Sequence, residues 1–237
     1  MSAEFSSAGA VGRVTPASDN LFQTGRCQEL SHLLAGELAV AESSGDRQSF
    51  IAAANDLACS YRASGDHAAA AYFQLLVATS ERQSAAGHVG RISPTSLGNL
   101  ACDAVLAGRL AIAESLLWKS LLAELAAGND LGAAADWANL GLIAGILGEL
   151  DEAKTRLWSA LKLHRQHGDL FHLALDLWHL GQLLELEGDW MRARKLFERA
   201  ARQFAEIGNA QFHRAAAIQG HLNAARAAVL TFDVRRN

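Results

Sequence analysis

The feature that most limits what this chain can fold into is a pattern repeated about every forty residues. A leucine followed by a small residue stands at Leu57-Ala58, Leu100-Ala101, Leu140-Gly141 and Leu180-Gly181, at intervals of 43, 40 and 40. Eight residues beyond each leucine is a glycine (Gly65, Gly108, Gly148, Gly188), and five further on an alanine (Ala70, Ala113, Ala153, Ala193). Another glycine closes most units, at Gly45, Gly87, Gly128, Gly168 and Gly208, usually with Asp or Asn within two residues of it.

Each part of the pattern has a mechanical cause. A glycine tolerates positive φ and ends a helix, and a neighbouring carboxylate satisfies free N–H groups at the start of the next. Between glycines, apolar residues recur at three and four, as in Leu173, Leu177, Leu180 and Leu184. Helix, tight turn, helix is the unit that results. The small residues at the Ala58 and Ala70 positions let the two helices of a pair approach closely. Such a pair cannot bury its apolar face alone, so units must stack, and this predicts an all-α solenoid of antiparallel helix pairs.

The spacing predicts first helices near 48–64, 94–107, 131–147, 171–187 and 211–229, and second helices near 26–44, 67–86, 109–127, 150–167 and 190–207. The segment "GHVGRIS" lengthens one interval, after which Ser93 caps and Pro94 enters the next helix. Residues 21–237 are expected to form one continuous domain. It comprises a half unit (21–45), four units (about 46–87, 88–128, 129–168 and 169–208) and a capping helix (209–237). The polar stretch 1–20 reads as a disordered tail.

Composition narrows the function. Two prolines and two tyrosines in 237 residues favour helix over strand. With 21 basic and 25 acidic residues spread along the chain, no strongly basic face exists to neutralise phosphates, so nucleic acid is not an expected partner. Three cysteines without CxxC spacing fit a reducing, cytoplasmic setting and argue against a zinc site. The longest apolar stretch, "WANLGLIAGILG", falls short of the roughly 18 residues a membrane span requires. Its Gly141 and Gly145 read as a close packing of helices outside a membrane.

In order, Trp137, Leu140, Gly141, Gly148, Ala153, Leu157 and Ala160 fit one pattern, and Leu180, Gly181, Gly188, Ala193, Phe197 and Ala200 fit it again. These residues resemble the tetratricopeptide repeat (TPR) family, in the stretched form with units near forty residues. The unit around Leu57 departs from it at Gln74, where a large apolar residue is expected, and the family's closing proline is absent. The resemblance implies a right-handed superhelix whose first helices line a concave groove for a peptide or partner helix. It also implies a protein of adaptor or peptide-sensor type, here bacterial.

If first helices face inward, the contacting positions read Gly98, Asn99, Cys102 and Leu106, then Ala138, Asn139, Leu142 and Ile146, then Trp178, His179, Gln182 and Leu186. The last helix adds Ile218, Gln219 and Leu222. Such an apolar lining is normally covered. Either neighbouring repeats bury it, or an amphipathic helix or extended peptide lies there against Leu142, Ile146 and Trp178. Asn99 and Asn139 hold matching positions, as do Asp136 and Asp176. In the resemblance such asparagines bond a bound peptide's backbone, and the alternative is a structural bond between helices. Asp56, Asp103, Asp136 and Asp176 suggest a ligand with a basic residue. None of the four lysines lies on a first helix, which argues against the family's clamp for C-terminal carboxylates.

Other constellations are weaker. His172, Asp176 and His179 share a helix face but lack a fourth ligand, so no metal is expected. His164 and His167 suit a helix C-terminus. Cys59 and Cys102 hold the same position in successive units, too far apart for a disulfide. Arg192, Arg194, Lys195, Arg199 and Arg202 read as a solvated outer face. No nucleophile set, phosphate loop or carboxylate pair is evident, so neither an enzyme nor a cofactor is expected. The leading expectation is a cytoplasmic scaffold binding a protein or peptide segment in its groove. Two alternatives are a signalling-peptide sensor and a self-assembling module joined through terminal helices, with Leu222 and Val229 carrying the contact.

Overall fold

A computed structural model describes residues 26–83 and 92–234, with side chains other than those of 82, 83 and 228–234. The expected tail 1–20, Gly87 and the side chain of Val229 lie outside the described residues. All regular structure among the described residues is helical. The helices are α1 (Cys27–Ser44), α2 (Arg47–Ala63), α3 (His67–Gln83), α4 (Pro94–Leu106), α5 (Leu110–Ala127), α6 (Asp130–Leu147), α7 (Leu150–Gln166), α8 (Leu170–Leu186), α9 (Trp190–Glu206) and α10 (Ala210–Val234).

The repeat glycines set the turns. Gly65, Gly108, Gly148 and Gly188 inside the pairs have φ of 84, 71, 83 and 76°, and Gly45, Gly128, Gly168 and Gly208 between pairs have φ of 70 to 76°. Only a residue without a β-carbon takes this left-handed backbone at little cost, which is why each of these turns writes glycine at one register position. Side chains then start the next helix. Asp46, Asp66, Ser93, Asn129, Asp169, Asp189 and Asn209 each accept a hydrogen bond from the backbone N–H three residues on, at 3.0 to 3.3 Å. After Asn209 no turn glycine follows, and α10 runs on to Val234, past the expected end near 229.

The described residues divide into two compact units, one ending at Asp136 and one beginning at Trp137. The division falls inside α6, at no repeat boundary. In the first unit α1 packs on α2, α2 on α3, α3 on α4 and α4 on α5. In the second, α7 packs on α8, α8 on α9 and α9 on α10. Each unit is an α-solenoid stack, in which every helix packs mainly on its neighbours in sequence.

The cores follow the repeat register. Leu30, Leu34 and Leu57 form a buried cluster in the first unit, flanked by Leu38, Tyr61 and Phe73. In the second unit Leu157, Leu177, Phe197 and Phe204 are wholly buried. The small residue after the anchor leucine has the expected role. A β-carbon on Gly141 would sit 2.9 Å from Leu157 Cγ and 3.1 Å from the Ala153 carbonyl oxygen, and one on Gly181 would sit 2.9 Å from Phe197 Cε1 and Cζ. Gly145 likewise faces Leu183 Cδ2 at 3.0 Å. The GxxxG pair therefore serves packing within the chain.

Candidate functional site

The predicted groove positions separate sharply by register. Immediately before the anchor, Asn99, Asn139 and His179 are all buried. Six residues after it, Leu106, Ile146 and Leu186 are exposed, by 50, 40 and 53%. Two residues after it, Cys102 and Leu142 are buried and Gln182 is half-buried, whereas the equivalent Leu222 on α10 is 47% exposed. Only part of the predicted lining is therefore open to another chain, and that part is apolar.

In the first unit Asn99 and Asp103 are bonded within the protein itself. Asn99 Nδ2 donates to Asn55 Oδ1 at 3.1 Å, and Asn99 Oδ1 accepts from the Cys59 thiol at 3.5 Å, tying α4 to α2. Beside them Arg62 pairs with Asp103 at 2.9 Å. Asn99 thus makes the helix-to-helix bond that the sequence left as the alternative to peptide binding. Burial pushes the Cys102 thiol up to about 12, against the pull of the Arg62 guanidinium, leaving it unreactive. Burial also pushes the Asp136 carboxyl up to about 7, opposed by its hydrogen bond with Ser120. For Asp56, burial and then the Glu37 carboxylate push it to about 8. These groups offer little free negative charge to a basic ligand.

In the second unit Trp178 is half-buried in an aromatic cluster, its ring 6.1 Å from Phe204 and 5.6 Å from Phe212, with Phe171 also against both. Burial pushes the His179 imidazole down to about 4, so it is neutral near pH 7. Besides Ile146 on α6, the open groove positions of this unit are on α8 and α10. Glu185 accepts hydrogen bonds from Gln219, Asn223 and Arg226 at 2.6 to 2.9 Å, holding the C-terminal half of α8 against the middle of α10. Leu186, beside that junction, is exposed, as are Ile218 and Leu222, by 59 and 47%.

The structure does not assemble His172, Asp176 and His179. Asp176 instead accepts from His164 Nδ1 at 2.7 Å, and Asp169 from His172 Nδ1 at 2.7 Å. His164, Asp169 and His172 each bring one possible ligand atom within 4.8 Å of the others. Sequence reading missed this group because it assigned His164 to the helix dipole. The available signal was His164 and His172 placed on either side of a turn that Asp169 caps. The arginine-rich face of α9 is outward as expected, with Arg192 bonded to Asp189 and Arg194 to Glu198.

No family model matches the sequence, and no curated protein is similar to it in sequence. Among solved structures, BtubC (BKLC) from P. vanneervenii is 16% identical with a TM-score of 0.53, over 90% of this chain and 93% of that one. PilF of Pseudomonas aeruginosa is 17% identical with a TM-score of 0.49, over 89% of this chain and 88% of that one. No helix of the described residues is long and apolar enough to cross a membrane. What the likeness to BtubC shows is the fold alone: a stack of helical repeats.

Proposed function

We propose that this chain is a binding scaffold of the TPR family that holds an apolar segment of another protein, and that it acts by binding rather than by catalysis. The observation that carries the reading is the exposure of Leu186, Ile218 and Leu222 on two adjoining first helices, beside half-buried Gln182. Exposed leucine and isoleucine gain by being covered, each fully buried side chain contributing about 1.5–3 kcal/mol. Ile218 and Leu222 lie one helical turn apart, a spacing suited to an amphipathic partner helix. The polar side chains of the neighbouring register, Asn99, Asn139 and His179, are buried in the fold, so the partner's selectivity would rest on apolar shape. The three free cysteines fit a cytoplasmic setting.

A competing surface exists in the first unit, where Trp118, Leu122 and Leu125 form an exposed stripe on one outer-type helix, α5. Affinity capture from native lysate separates the two. The Ile218→Asp/Leu222→Asp double variant is expected to lose the captured protein, and Leu122→Asp to retain it. A protein held equally by wild type and the α10 variant would remove this reading. Self-association through α10 is a second reading, favoured by the same exposed Ile218 and Leu222. Light scattering at high concentration would show a dimer that the double variant abolishes.

A further inference from the structure

We propose that the turn between α7 and α8 is a divalent transition-metal site, with His164, Asp169 and His172 as ligands and Asp176 as the residue that positions His164. His164 is on the last turns of α7, Asp169 caps α8, and His172 and Asp176 lie on its first two turns. The imidazole of His164 is held by Asp176 through Nδ1 at 2.7 Å, which leaves Nε2 as the atom of that ring able to ligate. A carboxylate on the far nitrogen of a metal-binding histidine is the usual way its tautomer and orientation are set.

The other two ligands lie close by, with His172 Nδ1 donating to Asp169 at 2.7 Å. One possible donor atom from each of His164, Asp169 and His172 falls within 4.8 Å of the others, and the two imidazole rings are 5.2 Å apart. Metal–nitrogen bonds of about 2.0–2.1 Å at tetrahedral angles place ligand atoms roughly 3.3 Å apart, so the group closes by about 1.5 Å on binding. His172 and Asp169 can make that movement, since their side chains are 12 and 20% exposed, whereas His164 and Asp176 are almost wholly buried. The same exposure admits the ion and leaves room for water as a fourth ligand.

Two imidazoles and a carboxylate without a thiolate suit zinc, cobalt or nickel better than calcium or magnesium, which prefer all-oxygen sets. An ion bound there bridges the two helices of adjacent repeats and stabilises the folded chain by mass action.

The test uses the full chain without a histidine tag, stripped with chelator and titrated with Zn²⁺ and Co²⁺. We expect one equivalent to bind, a visible Co²⁺ d–d band to appear, and Tm to rise. His172→Gln and Asp169→Asn, the latter keeping a capping side chain, are expected to weaken binding at least tenfold and to change the band. Asp176→Asn should weaken it about 10–100-fold. His167→Gln, at an exposed neighbour, should bind as wild type. Circular dichroism of each metal-free variant confirms that it is folded. Absence of the band with wild type, or a loss below tenfold in both His172→Gln and Asp169→Asn, would mean that the four residues only clasp the turn and would overturn the proposal.

Discussion

At Gly181 the repeat needs a residue without a β-carbon, because Phe197 from α9 already fills the space. Gly181→Ala is expected to destabilise the fold by about 1–3 kcal/mol of overpacking, reduced by the roughly 1 kcal/mol that alanine gains in a helix. Gly36→Ala is the control: nothing lies within 4 Å of its added carbon, so it should stabilise by about 0.5–1 kcal/mol. Urea denaturation of both measures the contrast. Gln74, which broke the pattern in sequence, is buried with neither side-chain polar atom bonded among the described residues. Gln74→Leu should therefore raise stability by about 1 kcal/mol or more. Two titrating groups pull in opposite senses. Asp136, raised from 3.8 to about 7, contributes stability that is full below its ordinary value and is lost as pH rises through about 7. His179, lowered from 6.5 to about 4, contributes stability that is full above 6.5 and is lost as pH falls through about 4. Asp136→Asn should therefore gain on wild type as pH is raised over that window, read from denaturation midpoints at about pH 5 and about pH 8.

Among the elements, the turns were the most legible part of the chain. Glycine at a fixed register and a capping Asp, Asn or Ser three residues before a satisfied N–H are local signals, and most helix ends fall within a residue or two of expectation. Side-chain direction around the anchor leucine was less legible. Asn99 and Leu106 lie on the same helix, yet one bonds Asn55 inside the stack and the other meets solvent. Which occurs depends on how closely the neighbouring helix approaches, a property of the stack that a single repeat does not encode. The His164–Asp176 pair escaped notice for the same reason, since it joins two helices of successive repeats. Glu185 makes a comparable tie from α8 to α10. Glu185→Ala leaves buried Asn223 short of a partner, and the expected result is amide exchange in α10 about tenfold faster or more, in line with a ~1–3 kcal/mol loss. Exchange in α1 to α4 should be unchanged.

For the whole molecule, the repeat explains stability and underlies the proposed function. Helix pairs too apolar to stand singly cover one another, and the side chains they fail to cover are where another protein can gain from contact. Among the groove positions read from the sequence, the uncovered ones are Leu106, Ile146 and Leu186, six after their anchors, and the Ile218/Leu222 pair of α10, while Asn99, Asn139, Asp136 and Asp176 are buried. The most direct test is site-specific photo-crosslinking in living cells, with the reactive residue placed at Ile218 or, for comparison, at Leu122. The account predicts a discrete heterologous crosslink from Ile218 that is absent from Leu122. A crosslink from Leu122 alone, or none from Ile218, would contradict it.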